Sequence, residues 1–205
     1  PDPKNNDIVY GGTYKGYMMR KDHQTDQIRS VNIWPDNPAG SGVEVMKYRF
    51  NWNFPVIFSP HDSKKLYAGS NYLHQTTNEG QSWEVISPDL TRGLPETMKS
   101  SGGLITQDNT GAEFYANIFV IQESAREKGV IWVGSDDGLL HLTRDGGKIW
   151  ENVTPSVMPK WLMINSIEPS PFDPAVCYVA GTLYKEGDFR PYLYRTIDYG
   201  KTWNI

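Results

Sequence analysis

Thr143-Arg144-Asp145-Gly146-Gly147-Lys148-Ile149-Trp150 decides how this chain is read, because it recurs in register. Thr76-Thr77-Asn78-Glu79-Gly80-Gln81-Ser82-Trp83 precedes it, and Thr196-Ile197-Asp198-Tyr199-Gly200-Lys201-Thr202-Trp203 follows it. The shared frame is Thr, an Asp or Asn two residues on, Gly two further, and Trp three beyond that. Such a frame encodes a turn. The Asx side chain accepts bonds from backbone N–H groups just ahead of it. The Gly permits positive φ where the chain reverses. The Trp opens the next strand and carries a large apolar surface into the core.

Outward from each turn the pattern continues. Ser59, Ser124 and Ser170 each stand eight residues before an aromatic residue: Tyr67, Trp132 and Tyr178. A polar or Pro-rich loop lies between, and a hairpin and then the Thr-to-Trp turn follow. The unit is strand, turn, strand, hairpin, strand, turn, strand. Four short antiparallel strands per unit predict an all-β chain, a β-propeller of four-stranded antiparallel blades. The units fall near 1–55, 56–118, 119–165 and 166–205. Tyr10 and Gly12 match Tyr67 and Gly69, so the chain enters its first unit at the second strand. Both ends fall inside a unit, which predicts an incomplete ring of about three full blades plus a partial first one.

Smaller segments carry their own expectations. Residues 15–30 are polar and show no helical period. The alternation from Ser30 to Pro35 reads as a strand, and 36–42 as a loop. Tyr48, Phe50, Trp52 and Phe54 alternate, which places four rings on one face of an extended core segment. The longest insertion runs from about Ser87 to Asn117, with a short strand expected at Leu104-Ile105-Thr106.

Composition sets wide bounds. The chain has 205 residues, a net charge of -4, 13% aromatic and 21% charged residues. Mild acidity gives no reason to expect nucleic acid as a partner. No apolar run approaches a membrane span. Cys177, the single cysteine, lies in an apolar run and reads as a buried core residue. The start Pro1-Asp2-Pro3 has no Met and no signal peptide, as expected of a processed or excised piece.

The three turns resemble the Asp-box, or BNR repeat, of sialidases, xyloglucanase-type glycoside hydrolases and sorting receptors of the sortilin/Vps10 class. Asn78 stands where Asp is usual, and Ile149 where Ser or Thr is usual. Lys47 to Pro55, Ser87-Pro88-Asp89-Leu90-Thr91, Asp108 to Glu113 and the turn at Thr196 resemble a family of large bacterial exported proteins. Those are named after Vps10/sortilin-like or glycosyl-hydrolase BNR-repeat domains. The resemblance implies six, seven or ten blades, and an extracellular, periplasmic or cell-surface location.

Candidate sites follow. The turn residues Thr76, Asn78, Gly80 and Trp83, Thr143, Asp145, Gly147 and Trp150, and Thr196, Asp198, Gly200 and Trp203 read as structural, on separate blades. Asp136 and Asp137 read either as solvent-facing carboxylates of a hairpin turn or as acids at the mouth of a sugar cleft. Glycoside hydrolysis needs two carboxyl groups about 5–9 Å apart. Adjacent residues on one turn diverge, so Asp108 and Glu113 on the insertion are candidate partners. Trp34, Tyr72, Trp161 and Tyr192 lie near loops and suit stacking against a sugar or peptide. His23, His61, His74 and His141 have no metal-site spacing, and no cofactor fingerprint is present. Asn152-Val153-Thr154 fits a glycosylation acceptor.

Two functions remain in view. The leading one is a non-catalytic propeller segment for protein or glycan binding and assembly in an exported protein. The alternative is part of a xyloglucanase-like glycoside hydrolase acting on polysaccharide. The expected partners are the remainder of its own propeller or another protein chain, with polysaccharide as a further ligand.

Overall fold

The computed structural model describes every residue except 35, 37–39, 41 and 109–113. The described residues form four antiparallel sheets in chain order. Sheet 1 holds β1 (Ile8–Gly12), β2 (Met18–Asp22) and β3 (Gln27–Ser30). Sheet 2 holds β4 (Val56–Phe58), β5 (Leu66–Gly69), β6 (Leu73–Thr76) and β7 (Glu84–Val85). Sheet 3 repeats that order with β8 (Ile118–Glu123), β9 (Ile131–Ser135), β10 (Leu140–Thr143) and β11 (Glu151–Asn152). Sheet 4 holds β12 (Met163–Pro169), β13 (Cys177–Leu183) and β14 (Asp188–Thr196). Within each, sequence neighbours pair as in a meander. Among the described residues no helix is long and apolar enough to cross a membrane.

Side-chain alternation along the strands explains how the sheets stack. In β9, Ile131 and Val133 join a cluster shared with sheet 2, through Tyr67, Leu73 and Leu90. Trp132, between them, faces the other way and joins Val179, Cys177 and Tyr194 of sheet 4. Both faces of β9 are therefore dry, and all five of its residues are buried. A third cluster joins sheets 1 and 2 through Met18, Val31, Phe50 and Phe54. The core is thus three interfaces between successive sheets, and burial of their apolar side chains is the main stabilising term. Cys177 is a free, buried thiol.

The eight-residue step from Ser to aromatic is a built turn. The Ser124 hydroxyl accepts the Arg126 and Glu127 N–H groups, and the Ser124 N–H donates to the Val130 carbonyl. Ser170 repeats this with Phe172, Asp173 and Val176.

The polar stretch 15–30, which shows no helical period, holds two strands, β2 and β3, in a hairpin. Three expectations fail locally. The strand expected at Ser30 to Pro35 stops at Ser30, and Pro35 lies outside the described residues, as does most of the 36–42 loop. Residues 46–55 contain no strand: Phe50 and Phe54 are buried, but Trp52 is exposed. Leu104-Ile105-Thr106 is an exposed turn.

Candidate ligand face

The repeated turns share one geometry. The Thr143 hydroxyl donates to Asp145 Oδ1 and accepts the Gly147 N–H, while Asp145 Oδ1 accepts the Lys148 and Ile149 N–H groups. Asn78 and Asp198 take the same place, accepting the Thr hydroxyl and the N–H of Ser82 and Thr202. These bonds hold the Asp145 carboxyl below its usual range, with the Ile149 N–H the largest cause. The Thr202 hydroxyl leads the same effect at Asp198.

Each turn grips the sheet before it. The indole N–H groups of Trp83, Trp150 and Trp203 donate to the carbonyls of Val31, Ile86 and Val153, at 3.0, 2.9 and 2.9 Å. Each acceptor directly follows the last strand of its own sheet. The turn glycines press on the same residues. A Cβ on Gly80 would lie 2.7 Å from Val31, on Gly147 2.6 Å from Ile86, and on Gly200 2.8 Å from Val153. All three also have positive φ. The turns serve three different joints and do not converge.

The other ends of the sheets do converge. There the β5–β6 and β9–β10 turns meet the long connections between sheets. Asn71 accepts the Arg49 N–H through its side-chain oxygen, and Asp136 Oδ1 accepts the Asn117 N–H in the equivalent place. The buried Arg49 side chain donates to the Ala116 carbonyl, Asp89 and Thr91, and Asp89 also accepts from Asn71 Nδ2. Arg92 extends the network toward sheet 4. Its N–H donates to Asp137 Oδ2, and its guanidinium donates to the carbonyls of Asp137, Gly138 and Lys160. Asp137 Oδ1 accepts the Ser135 hydroxyl.

The solvent-facing alternative for Asp136 and Asp137 therefore fails, since both are buried. Desolvation pushes the Asp136 carboxyl up to about 7, and the Asp137 charge adds to the rise. Asp137 is also raised by burial, against the pull of Ser135 and Arg92. Asn117 donates its amide N–H to the Phe114 carbonyl, yet its side-chain oxygen is buried without a partner among the described residues.

Aromatic rings border this network. Trp34 and Tyr72 both meet Tyr48 edge-on, at 6.0 and 5.6 Å, and Lys47 Nζ sits 3.5 Å over the Trp34 ring. Trp161 lies 6.4 Å from Tyr115, with Lys160 and Arg92 over its ring. Burial and the two aspartates raise the Tyr115 phenol above its usual range. Tyr192 stands apart on β14, its hydroxyl donating to Asp188. Asp108 lies exposed on the insertion, bridged to Ser101. Glu113 lies outside the described residues.

Sequence reasoning passed over Tyr115 and Asn117, read Tyr48 as core, and gave Arg49 and Arg92 no role. Aligning Asn71 with Asp136 through the preceding Gly-Ser would have pointed to the two latches. Nothing local marks Arg49 or Arg92, whose side-chain partners are 40 or more residues away. Among the described residues no group of three or more His, Cys, Asp or Glu could hold a metal ion.

No family model matches this sequence, nor does any curated protein. Solved structures do match in fold. The GH74 xyloglucanase from Xanthomonas campestris aligns over 100% of this chain and 37% of its own, with 15% identity and a TM-score of 0.50. The GH74 enzyme of Niastella koreensis aligns over 99% of this chain and 37% of its own, at 14% identity and a TM-score of 0.43. YCF48 from Cyanidioschyzon merolae aligns over 93% of this chain and 66% of its own, at 12% identity and a TM-score of 0.33. The chain thus spans little more than a third of the GH74 proteins it resembles, and at these identities the likeness concerns the fold.

Proposed function

We propose that this chain is part of an Asp-box β-propeller in an exported glycoside hydrolase of the xyloglucanase type, and that polysaccharide lies across the face just described. In this reading the four sheets are blades, in units near 1–55, 56–118, 119–165 and 166–205. The observation that carries the proposal is the placement of the Tyr115 and Trp161 rings, through Arg92, beside a turn that holds two carboxyl groups, Asp136 and Asp137. Tyr115 and Trp161 border the turn whose Asp136 is held at about 7, the protonation state a general acid needs. Fold likeness to a xyloglucanase over the whole chain supports it. The second carboxylate would come from the insertion or from another part of the parent protein.

One observation favours the non-catalytic alternative, a binding or assembly propeller. Asp136 does for Asn117 what Asn71 does for Arg49, and an amide suffices there. The substitution Asp136→Asn separates the two readings. Hydrolysis of soluble β-glucans by the intact protein is expected, falling as pH rises through about 7, and Asp136→Asn is expected to reduce it at least a hundredfold. Product formation at the wild-type rate by the folded variant would remove Asp136 from the chemistry. Glycan binding with no products at all would favour the binding propeller.

A further inference from the structure

Tyr14 and Trp52 form an aromatic feature apart from the Asp136–Asp137 turn. Their rings are near parallel, 20° between planes and 6.2 Å between centroids, and both residues are 50% exposed. The backbone enforces that exposure. The Phe54 N–H donates to the Asn51 carbonyl and the Asn53 N–H to the Asn51 side chain. The chain therefore turns between Phe50 and Phe54, burying both and holding Trp52 outward.

The same two phenylalanines pin the partner ring. Gly12 and Gly16 bracket Tyr14 on the turn between β1 and β2. A Cβ on Gly12 would lie 2.6 Å from the Phe54 ring, and one on Gly16 2.5 Å from the Phe50 ring. Lys15, between Tyr14 and Gly16, is held at φ 68, a conformation non-glycine residues adopt at some cost. Two ring-on-glycine contacts thus clamp one turn to the other and place Tyr14 against Trp52. The clamp fixes the two turns that carry the rings, which lowers the entropic cost of binding.

We propose that Tyr14 and Trp52 form a saccharide-stacking site that takes a pyranose ring by its C–H face. This rests on the polysaccharide reading above and assigns a subsite within it. The exposed half of this stacked pair offers an open aromatic face, which fits a flat ring better than a side chain that needs an enclosing pocket. The half-buried Lys15 and the exposed Asn53 adjoin the two rings in the chain and carry donors suited to sugar hydroxyls. Tyr48, on the same 47–54 segment as Trp52, meets Trp34 and Tyr72 edge-on.

The test uses the intact protein, with cellohexaose in calorimetry and hydroxyethylcellulose in affinity electrophoresis. Trp52→Ala is expected to weaken binding at least tenfold and Tyr14→Ala at least threefold, while Trp52→Phe stays within threefold of wild type. Both side chains are half exposed, so the thermal midpoints should stay unchanged. If Trp52→Ala lowers its midpoint, Tyr14→Ala decides. Wild-type affinity in both alanine variants would overturn the site and leave the polysaccharide reading standing. Failure of the wild type to bind any glycan tested would end both. Preferential capture of a polyproline peptide, lost in the same variants, would also overturn the site.

Discussion

An amide and a carboxylic acid do the same job at two places in this chain. Asn71 and Asp136 each accept the backbone N–H of the connection that enters their sheet. Only the acid titrates. Its unfolded value is about 3.9, and burial raises it to about 7 in the folded protein. Between about pH 4 and about pH 7 the folded state binds this proton more tightly than the unfolded chain. Stability contributed by Asp136 therefore falls as pH rises through that window and levels off above it. His74 and His141 act in the opposite sense, because burial lowers both to about 4 and keeps them neutral. The wild type alone blends these slopes, and the difference from Asp136→Asn isolates one. We expect the variant to gain stability over wild type between pH 5 and pH 8, read as a rising difference in urea midpoint. A difference that stays flat would place the Asp136 value near that of an ordinary carboxyl. The identity of Asp136 was legible in the sequence, and its burial was not, because a Gly-Ser-Asp-Asp-Gly turn looks solvated until Arg92 and Asn117 arrive from elsewhere.

Among the elements, the repeated turn was the most legible, because its Thr, Asx, Gly and Trp bond mostly within eight residues. What the sequence hid was the partner. The glycine serves two needs that substitution can separate. Gly146 and Gly147 both have positive φ, but a Cβ on Gly146 meets nothing within 4 Å, whereas one on Gly147 lies 2.6 Å from the Ile86 carbonyl oxygen. Gly146→Ala should cost about 1 kcal/mol, the left-handed penalty alone. Gly147→Ala should cost at least twice that, since backbone must move as well, with equilibrium urea unfolding as the measure. Elements with mixed signals were misread for identifiable reasons. In 46–55 a tight turn and a strand both bring residues four apart to the same side, so Phe50 and Phe54 satisfied either pattern and only the outward Trp52 tells them apart. No strand was legible in 15–30, because β2 and β3 carry Arg20, Lys21 and Arg29, whose charged heads mask the alternation. Arg20 and Arg29 both lie against Glu79 of the next sheet.

At the scale of the molecule, each sheet packs on its neighbours in sequence, and each interface has its own core cluster and its own tryptophan joint. Stability should then be divisible, as in other repeat architectures. Trp203 closes the joint between sheets 3 and 4, where it donates to Val153 and packs on Trp132 at 6.2 Å. In Trp203→Ala, amide hydrogen exchange should quicken across β12, β13 and β14, while β5 and β6 keep most of their protection. Uniform acceleration over all four sheets would show one cooperative unit instead. Arg49 opposes complete division, since it joins the connection before sheet 2, the exit from sheet 2 and the entry to sheet 3. The fold class was legible because three interfaces repeat one solution. The candidate ligand face was only partly legible, because it is assembled from connections that do not repeat.

The direction of the tryptophan joints has a bearing on how the chain is made. Every acceptor carbonyl precedes its tryptophan, by 52, 64 and 50 residues. On a ribosome each sheet therefore waits, its trailing side unsealed, until the turn of the next has emerged. The joints close in the order in which they are translated, and a pause in synthesis just before Trp83, Trp150 or Trp203 would leave the preceding interface without its seal.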